Sequence, residues 1–206
     1  MHTLVVLDHP YGASASANEP HHRSLVAAMV LAAQRGMDRG GHTHETVDLA
    51  ALQFDPVMTA DDLRAWRTEA TPREDVARLQ SALQRADHLV LAFPTWWMGP
   101  PARTKGFLDR VLTPGFAFDE PVLGGPLRRR LHKLRGVSIL TAMTTPAPLY
   151  GSWFGAPSRR ILARGTFQLI GIRRVRWFSI DRSAQRSAAS RERALQRVTR
   201  RFAALG

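Results

Sequence analysis

The sequence predicts an α/β protein with one doubly wound parallel sheet, and three observations carry that expectation. Short apolar runs alternate with stretches of helical spacing, the pattern of strands joined by crossover helices. Right-handed crossovers close such a chain into a three-layer arrangement, helices covering both faces of the sheet. With 206 residues, 44% of them hydrophobic, the chain can bury one substantial core, and no repeat, low-complexity run or linker divides it. A single domain over 1–206 is expected, with long loops at about 113–135 and 146–173.

The elements follow in order. Thr3-Leu-Val-Val-Leu7 reads as a buried strand, and after a polar loop from Asp8 to about His22, Leu25, Val26, Met29, Val30 and Ala33 recur at helical spacing. Glu45-Thr-Val-Asp-Leu49 is a second short strand behind Gly40-Gly41. Thr71-Pro-Arg-Glu74 offers a capping box with Pro in the first turn, ahead of a stripe of Val76, Leu79, Leu83 and Ala86. A third strand, His88 to Phe93, ends at Pro94, and a helix from about Pro101 to Val111 follows its loop. Val137–Thr141 and Val175–Ile180 are the fourth and fifth strands. The closing helix sets Leu195, Val198, Phe202 and Leu205 on one face and arginines on the other.

Composition narrows the chemistry. The chain has no cysteine, which removes disulfides, thiolate nucleophiles and Cys-ligated metals, so redox work would need a borrowed cofactor. No stretch approaches the roughly 20 apolar residues of a membrane span, and Met1 runs into Leu4–Leu7 without a basic leader, so a cytoplasmic protein is expected. Residues 1–127 hold 11 Lys or Arg against 15 acidic residues, net −4, whereas 128–206 hold 18 against two, net +16. Such asymmetry suits a nucleic-acid surface, an acidic partner or a funnel for small anions, and its being almost all Arg is also what a GC-rich genome, supplying Arg in place of Lys, would produce. Arg128-Arg-Arg130, Lys133 and Arg135 lack interleaved aromatics. They are read as lining a slot mouth or a subunit rim rather than nucleic acid. His21-His22 and His42-x-His44 find no carboxylate at ligand spacing and are read as loop histidines, with no metal.

In an open parallel sheet, ligands bind beyond the carboxyl ends of the strands. Three segments lie there. The first, Asp8 to Ser24, supplies hydroxyls, imidazoles, Arg23 and a helix N-terminus, a bed that suits a phosphate. Neither G-x-G-x-x-G nor G-x-x-x-x-G-K-[ST] occurs. The second, Phe93 to Leu112, places adjacent Trp96 and Trp97 at the mouth of the sheet, where they suit a flat heteroaromatic ligand. The third is Thr141 to Tyr150.

The second segment resembles the NAD(P)H:quinone oxidoreductase family of the flavodoxin-like superfamily, whose members show F-P-x-x-W-x-x-x-P-A-x-x-K-G-x-x-D-R-V and then G-F-A-F. Phe93, Pro94, Trp97, Pro101, Ala102, Lys105, Gly106, Asp109, Arg110 and Val111 match, followed by Gly115-Phe-Ala-Phe118. The likeness extends to His9-Pro10, Arg23-Ser24-Leu25, Asp48-Leu49 and Phe54-Asp-Pro56. It implies a five-stranded flavodoxin-like sheet of order 2-1-3-4-5, with a flavin whose ring lies along Pro94, Thr95, Trp96 and Trp97. His9, Arg23, Ser24 and Leu25 would take the flavin phosphate. Thr141, Ala142, Met143 and Thr144 would flank the ring. Met143 and Thr144 stand where relatives carry two glycines, and Tyr150 matches a tyrosine that faces ring and acceptor, as a proton donor or a lid aromatic. Lys105 and Asp109 are read as a surface pair at i,i+4.

The resemblance further implies FAD, with FMN as the alternative, NAD(P)H as co-substrate and ping-pong transfer of hydride to a quinone-like or other electron-poor small molecule. It implies a homodimer in which Phe116, Phe118, Trp153 and Phe154 close over the partner's flavin, with Arg159, Arg160 and Arg164 around the slot. A tailoring reductase of one metabolite and a non-enzymatic flavodoxin-like regulatory subunit are the alternatives.

Overall fold

The computed structural model describes residues 1–17, 22–68 and 72–205, apart from the side chain of Arg67. Thr71, the expected helix cap, and His21 lie outside them. Among the described residues β1 (His2–Leu7) leads through a 3-10 turn at Ala13–Ala17 to α1 (Leu25–Arg39), then β2 (Thr43–Asp48), α2 (Ala60–Thr68), α3 (Glu74–Arg85), β3 (His88–Pro94) and α4 (Ala102–Val111). A two-stranded antiparallel ribbon, β4 (Phe118–Asp119) and β5 (Arg128–Arg129), precedes β6 (Gly136–Ala142). Wide helical turns at Leu149–Trp153, α5 (Pro157–Arg159) and Arg160–Gln168 come before β7 (Val175–Ile180) and α6 (Ala188–Ala203).

The five long strands form one parallel sheet of order β2-β1-β3-β6-β7, the order the resemblance implies. The pleat sends alternate residues to opposite faces. Leu4, Val6, Leu89, Leu91, Phe93, Val137 and Ile139 therefore pack under α3, α4 and the turns at 160–168, with Leu79, Phe107, Leu162 and Phe167. Val5, Leu7, Val90, Ala92 and Leu140 pack on the other face under α1 and α6, with Met29, Ala33, Val198 and Phe202. Each large side chain buried this way contributes roughly 1.5–3 kcal/mol before entropy is counted.

Helices α1 and α6 touch backbone to backbone. A Cβ on Gly36 would stand 2.3 Å from the Thr199 carbonyl oxygen, so only glycine permits this approach. Beside it the buried Thr199 hydroxyl donates to the Ala32 carbonyl at 2.9 Å.

Three expectations change. Helix α3 begins at Glu74 with Arg73 before it and no side-chain cap, so Pro72 precedes the helix instead of opening it. A capping box does exist, one helix earlier: Thr59 Oγ1 accepts from the Asp62 N–H at 3.1 Å while Asp62 accepts from the Thr59 N–H at 2.9 Å, starting α2. The 146–173 segment is largely helical, and the 113–135 segment holds the β4–β5 ribbon.

Arg110 fixes this side of the molecule. Its side chain is fully buried, within 3.2 Å of Asp62 and 3.0 Å of Asp75, donates to the Asp55 carbonyl and lies over the Phe54 ring. Burial disfavours its charge, but the two carboxylates prevail and raise its pKa. The same pairing, with the Thr59 cap, holds Asp62 below the ordinary carboxylate range against desolvation. A cavity of about 270 Å³ beside it, lined by Trp66, Gln80, Arg110 and Phe116 among others, lies away from the carboxyl ends of the strands.

Candidate active site

The loop after β1 is held from beneath. Asp8, at the end of β1, is buried and its carboxylate accepts from the Thr104 N–H and hydroxyl, both at 2.8 Å, which ties β1 to the first turn of α4. Asp48, at the end of β2, accepts from the Ala13, Ala50 and Ala51 N–H groups. Further out, the Tyr11 ring lies tilted between those of His9 and His22, with centroids 5.5 and 4.9 Å away, and Ser14 Oγ lies 3.3 Å from His22 Nε2.

His9 is half-buried. Desolvation pushes its imidazole below the ordinary value, helped by His22 and opposed by Asp8 and Asp48, so the ring is neutral at pH 7. Its Nδ1 accepts from the Tyr11 N–H at 3.2 Å, which assigns the remaining proton to Nε2 and makes that edge a donor.

Ser24 is the N-cap of α1, its hydroxyl oxygen accepting from the Ala27 N–H at 3.0 Å, and it is buried. Helix geometry leaves the first-turn N–H groups of Leu25 and Val26 for another acceptor, beside an exposed Arg23. An anion would find here a helix N-terminus, a guanidinium and a neutral imidazole donor.

The loop after β3 makes a tight turn. Trp96 and Gly99 exchange hydrogen bonds at 3.0 and 2.8 Å, and between them Trp97 and Met98 both sit at left-handed φ, +48° and +62°. Two consecutive left-handed residues define the turn type that Asn-Gly usually fills, and a bulky residue there costs about 1–2 kcal/mol. Trp97 is 100% exposed and Trp96 51%, so neither tryptophan serves the core. At the base, Thr95 donates its N–H to the Ala142 carbonyl at 2.9 Å, and the Thr95 and Thr141 hydroxyls are 2.7 Å apart. The turn thus stands directly above the joined ends of β3 and β6. Behind it, α4 comes so close to the chain at Pro56 that a Cβ on Gly106 would lie 2.4 Å from Pro56 Cα.

The loop after β6 is pinned to β7. The Met143 N–H donates to Ile180 and its carbonyl accepts from Ser183, while Asp181 accepts from the Ala147 N–H at 2.9 Å and pairs with Arg186 at 2.5 Å. Although burial opposes it, the Ala147 N–H and Arg186 hold the Asp181 carboxyl below its ordinary range. Thr141, Ala142 and Met143 are buried, and Thr144 alone of the four faces solvent.

Two expectations need correction. Tyr150 is not at the mouth of a slot: it is 4% exposed and its hydroxyl is sealed in with no hydrogen-bond partner among the described residues. The turn at 149–153 folds the ring inward. Phe118 is likewise core, 8% exposed against its own chain's Trp66 at 6.3 Å, because β4 pulls it under the helices. Phe116 is half-buried and packs on that core. Trp153 and Phe154 do stand out, 77% and 44% exposed. Lys105 and Asp109 form their i,i+4 pair at 2.5 Å on the surface of α4. One contributor escaped the sequence reading: Ser158, buried, whose hydroxyl donates to the Met98 carbonyl at 2.6 Å.

Comparisons with known proteins bear on this geometry. An uncharacterized NAD(P)H oxidoreductase of Escherichia coli is 39% identical over 103 residues, 49% of this chain and 52% of its own. The rat ribosyldihydronicotinamide dehydrogenase [quinone] is 30% identical over 116 residues, 48% of this chain and 50% of its own. The chain therefore spans about half the length of the curated relatives it matches. An NAD(P)H:quinone oxidoreductase from Methanothermobacter marburgensis superposes with a TM-score of 0.82 at 23% identity, covering 98% of this chain and 96% of that one, a likeness of fold. A family model described as a flavodoxin-like fold matches residues 1–204, and the chain belongs to that family.

Proposed function

We propose that this protein is a flavin-dependent oxidoreductase that takes hydride from NAD(P)H and passes it to a quinone-like or other electron-poor small molecule, in ping-pong alternation. The observation that carries the reading is the Trp96–Gly99 turn, a strained platform with two exposed tryptophans above the carboxyl ends of β3 and β6. Bulky aromatics held in a sparsely populated conformation, out of the core, are explained by a flat ligand that they wall. The α1 N-terminus with His9, Arg23 and Ser24 would hold the phosphate of the same ligand.

Bound flavin would supply the two-electron chemistry. The chain's own residues bind and orient it. Trp96 and Trp97 cover the ring, backbone groups of Pro94–Trp97 and Thr141–Thr144 meet its polar edge, and the first turn of α1 takes the phosphate. FAD is the proposed form and FMN the alternative, the long 113–135 and 146–173 segments providing the surface for a second nucleotide half. The reading includes a two-fold homodimer in which exposed Trp153 and Phe154 of one copy cover the slot of the other. Arg159, Arg160 and Arg164, all exposed, would draw in the phosphates of NAD(P)H.

Titrating apo-protein with FMN and with FAD while following flavin fluorescence tests the central point, and adding NADPH or NADH without oxygen tests the reaction. Saturable binding at micromolar concentrations followed by bleaching is expected. A chain that binds neither flavin overturns the reading. Parallel double-reciprocal plots are expected for ping-pong turnover, a dimer in sedimentation, and a KM for NADPH that rises with ionic strength.

A further inference from the structure

We infer that Ser158 is a positioning residue: it holds the Trp96–Gly99 turn in its left-handed conformation and through it sets the affinity for the flavin. The turn has little else to keep it. Trp97 is fully exposed, so no packing fixes its tip, and the two Trp96–Gly99 backbone bonds close the turn without anchoring it to the body. Two consecutive left-handed non-glycine residues persist only where their surroundings over-determine them.

The missing anchor comes from sixty residues away. Ser158 has no solvent exposure, and its hydroxyl donates to the carbonyl of Met98 at 2.6 Å. Its own place is fixed on both sides. Before it, Ala156 is left-handed at φ +50° and its carbonyl accepts from the Arg160 N–H, while Pro157 pre-sets the first helical residue. After it, Leu162 and Phe167 are fully buried in the core beneath the sheet. Rigidity of the core is thus delivered through one hydroxyl to the carbonyl of the second left-handed residue. The segment that delivers it also carries the exposed Trp153, Phe154 and Ile161, so whatever settles on those side chains bears on the cofactor turn by the same link.

The flavin half of this inference rests on the function proposed above; the clamp half does not, and two measurements keep them apart. The first is amide hydrogen exchange of the apo-protein. In Ser158→Ala the Trp96 and Gly99 amides should exchange about tenfold faster than in the wild type, while core strand amides keep their rates. The second is flavin affinity, expected to weaken about five- to tenfold in the same variant. Thr166→Ala is the control. It removes a hydroxyl bond to the Ile161 carbonyl within the same segment, and it should change neither readout. Should Ser158→Ala fail to fold, Ser158→Cys keeps the shape with a weaker donor and should move both readouts in the same direction. Unchanged turn amides overturn the clamp. Faster amides with unchanged flavin affinity overturn the positioning role. A wild-type chain that binds no flavin overturns the proposed function and the flavin half together, and the exchange rates still decide the clamp.

Discussion

The two ends of the same sheet are built to different standards. At the amino end the loops are closed by bonds: the His2 N–H donates to Asp87 Oδ2 at 2.7 Å, the Asp87 N–H to the His2 carbonyl at 2.8 Å and the Arg135 N–H to the Asp87 carbonyl at 2.7 Å. The His2 N–H, with Lys133, Arg135 and the terminal amine, holds the Asp87 carboxyl below its ordinary range despite desolvation. His88 lies buried there against the Ser138 hydroxyl at 2.9 Å; Thr3, its register partner on β1, keeps the one unpaired buried hydroxyl found at this end among the described residues. The carboxyl end is unfinished. All five non-glycine residues with left-handed φ among those described, Gln53, Trp97, Met98, Ala156 and Arg182, lie in segments that leave the carboxyl ends of strands. Exposed Trp96 and Trp97 lie there too. One end is optimised for stability, the other holds strain and unmet contacts that a ligand can satisfy.

The largest expected effect tests the closed end. Desolvation, with Arg176 and Arg174 nearby, lowers the pKa of His88 from 6.5 to about 4. Above pH 6.5 both folded and unfolded states are neutral and the residue contributes nothing; below it the unfolded chain takes a proton that the folded one refuses. Stability should therefore fall by about 3 kcal/mol between pH 6.5 and 4, and His88→Asn should flatten that part of the curve in denaturant titrations. An identical slope in the variant would assign the acid sensitivity elsewhere.

At the open end, Trp97→Ala should weaken flavin binding about tenfold, on the scale of a lost aromatic stack, and leave the melting temperature of the apo-protein unmoved. Equal losses in both would make Trp97 structural. The double change Trp97→Asn with Met98→Gly writes the pair that this turn favours, and should raise apo stability by about 1 kcal/mol while removing the platform. Destabilisation would show that the left-handed turn carries no strain. Tyr150→Phe deletes a buried, unpaired hydroxyl and should add about 1 kcal/mol to apo stability. A loss there would mean that the hydroxyl has found a water or another partner. Smallest is Lys105→Ala, inside the motif but on the surface of α4, which should cost roughly 0.4 kcal/mol and spare flavin binding.

The strands were legible because burial on both faces writes continuous apolar runs, so β1, β3 and β6 could be read to within one residue at either end. Helix α2 was not. Its sequence, Ala-Asp-Asp-Leu-Arg-Ala-Trp-Arg-Thr, offers too narrow an apolar stripe, although its Thr59 and Asp62 cap stood in plain view. The 160–168 segment escaped for a geometric reason: in a helix widened toward five residues per hydrogen-bonded step, the buried pair Leu162 and Phe167 falls five apart and no 3.6-residue period appears. The site was legible in its parts, since adjacent tryptophans before a helix and hydroxyls before another can be seen in the letters. Its strain was not. Nothing in Trp97-Met98 announces a left-handed turn, and nothing in Ser158 announces that it is buried against that turn, because both depend on contacts across sixty residues.

The seam between α1 and α6 has a consequence in time. Residues 25–39 leave the ribosome early, yet the surface on which they close, with Gly36 against Thr199 and Ala32 bonded to the Thr199 hydroxyl, is synthesised some 167 positions after Ala32. Until then the part of that sheet face that α6 covers, and the flank of α1 that meets it, wait uncovered, in a topology whose pairings already span long stretches of chain. The nascent protein thus exposes this apolar surface until α6 emerges, and a stop codon ahead of residue 188 would release a polypeptide with the α6 part of that face still open.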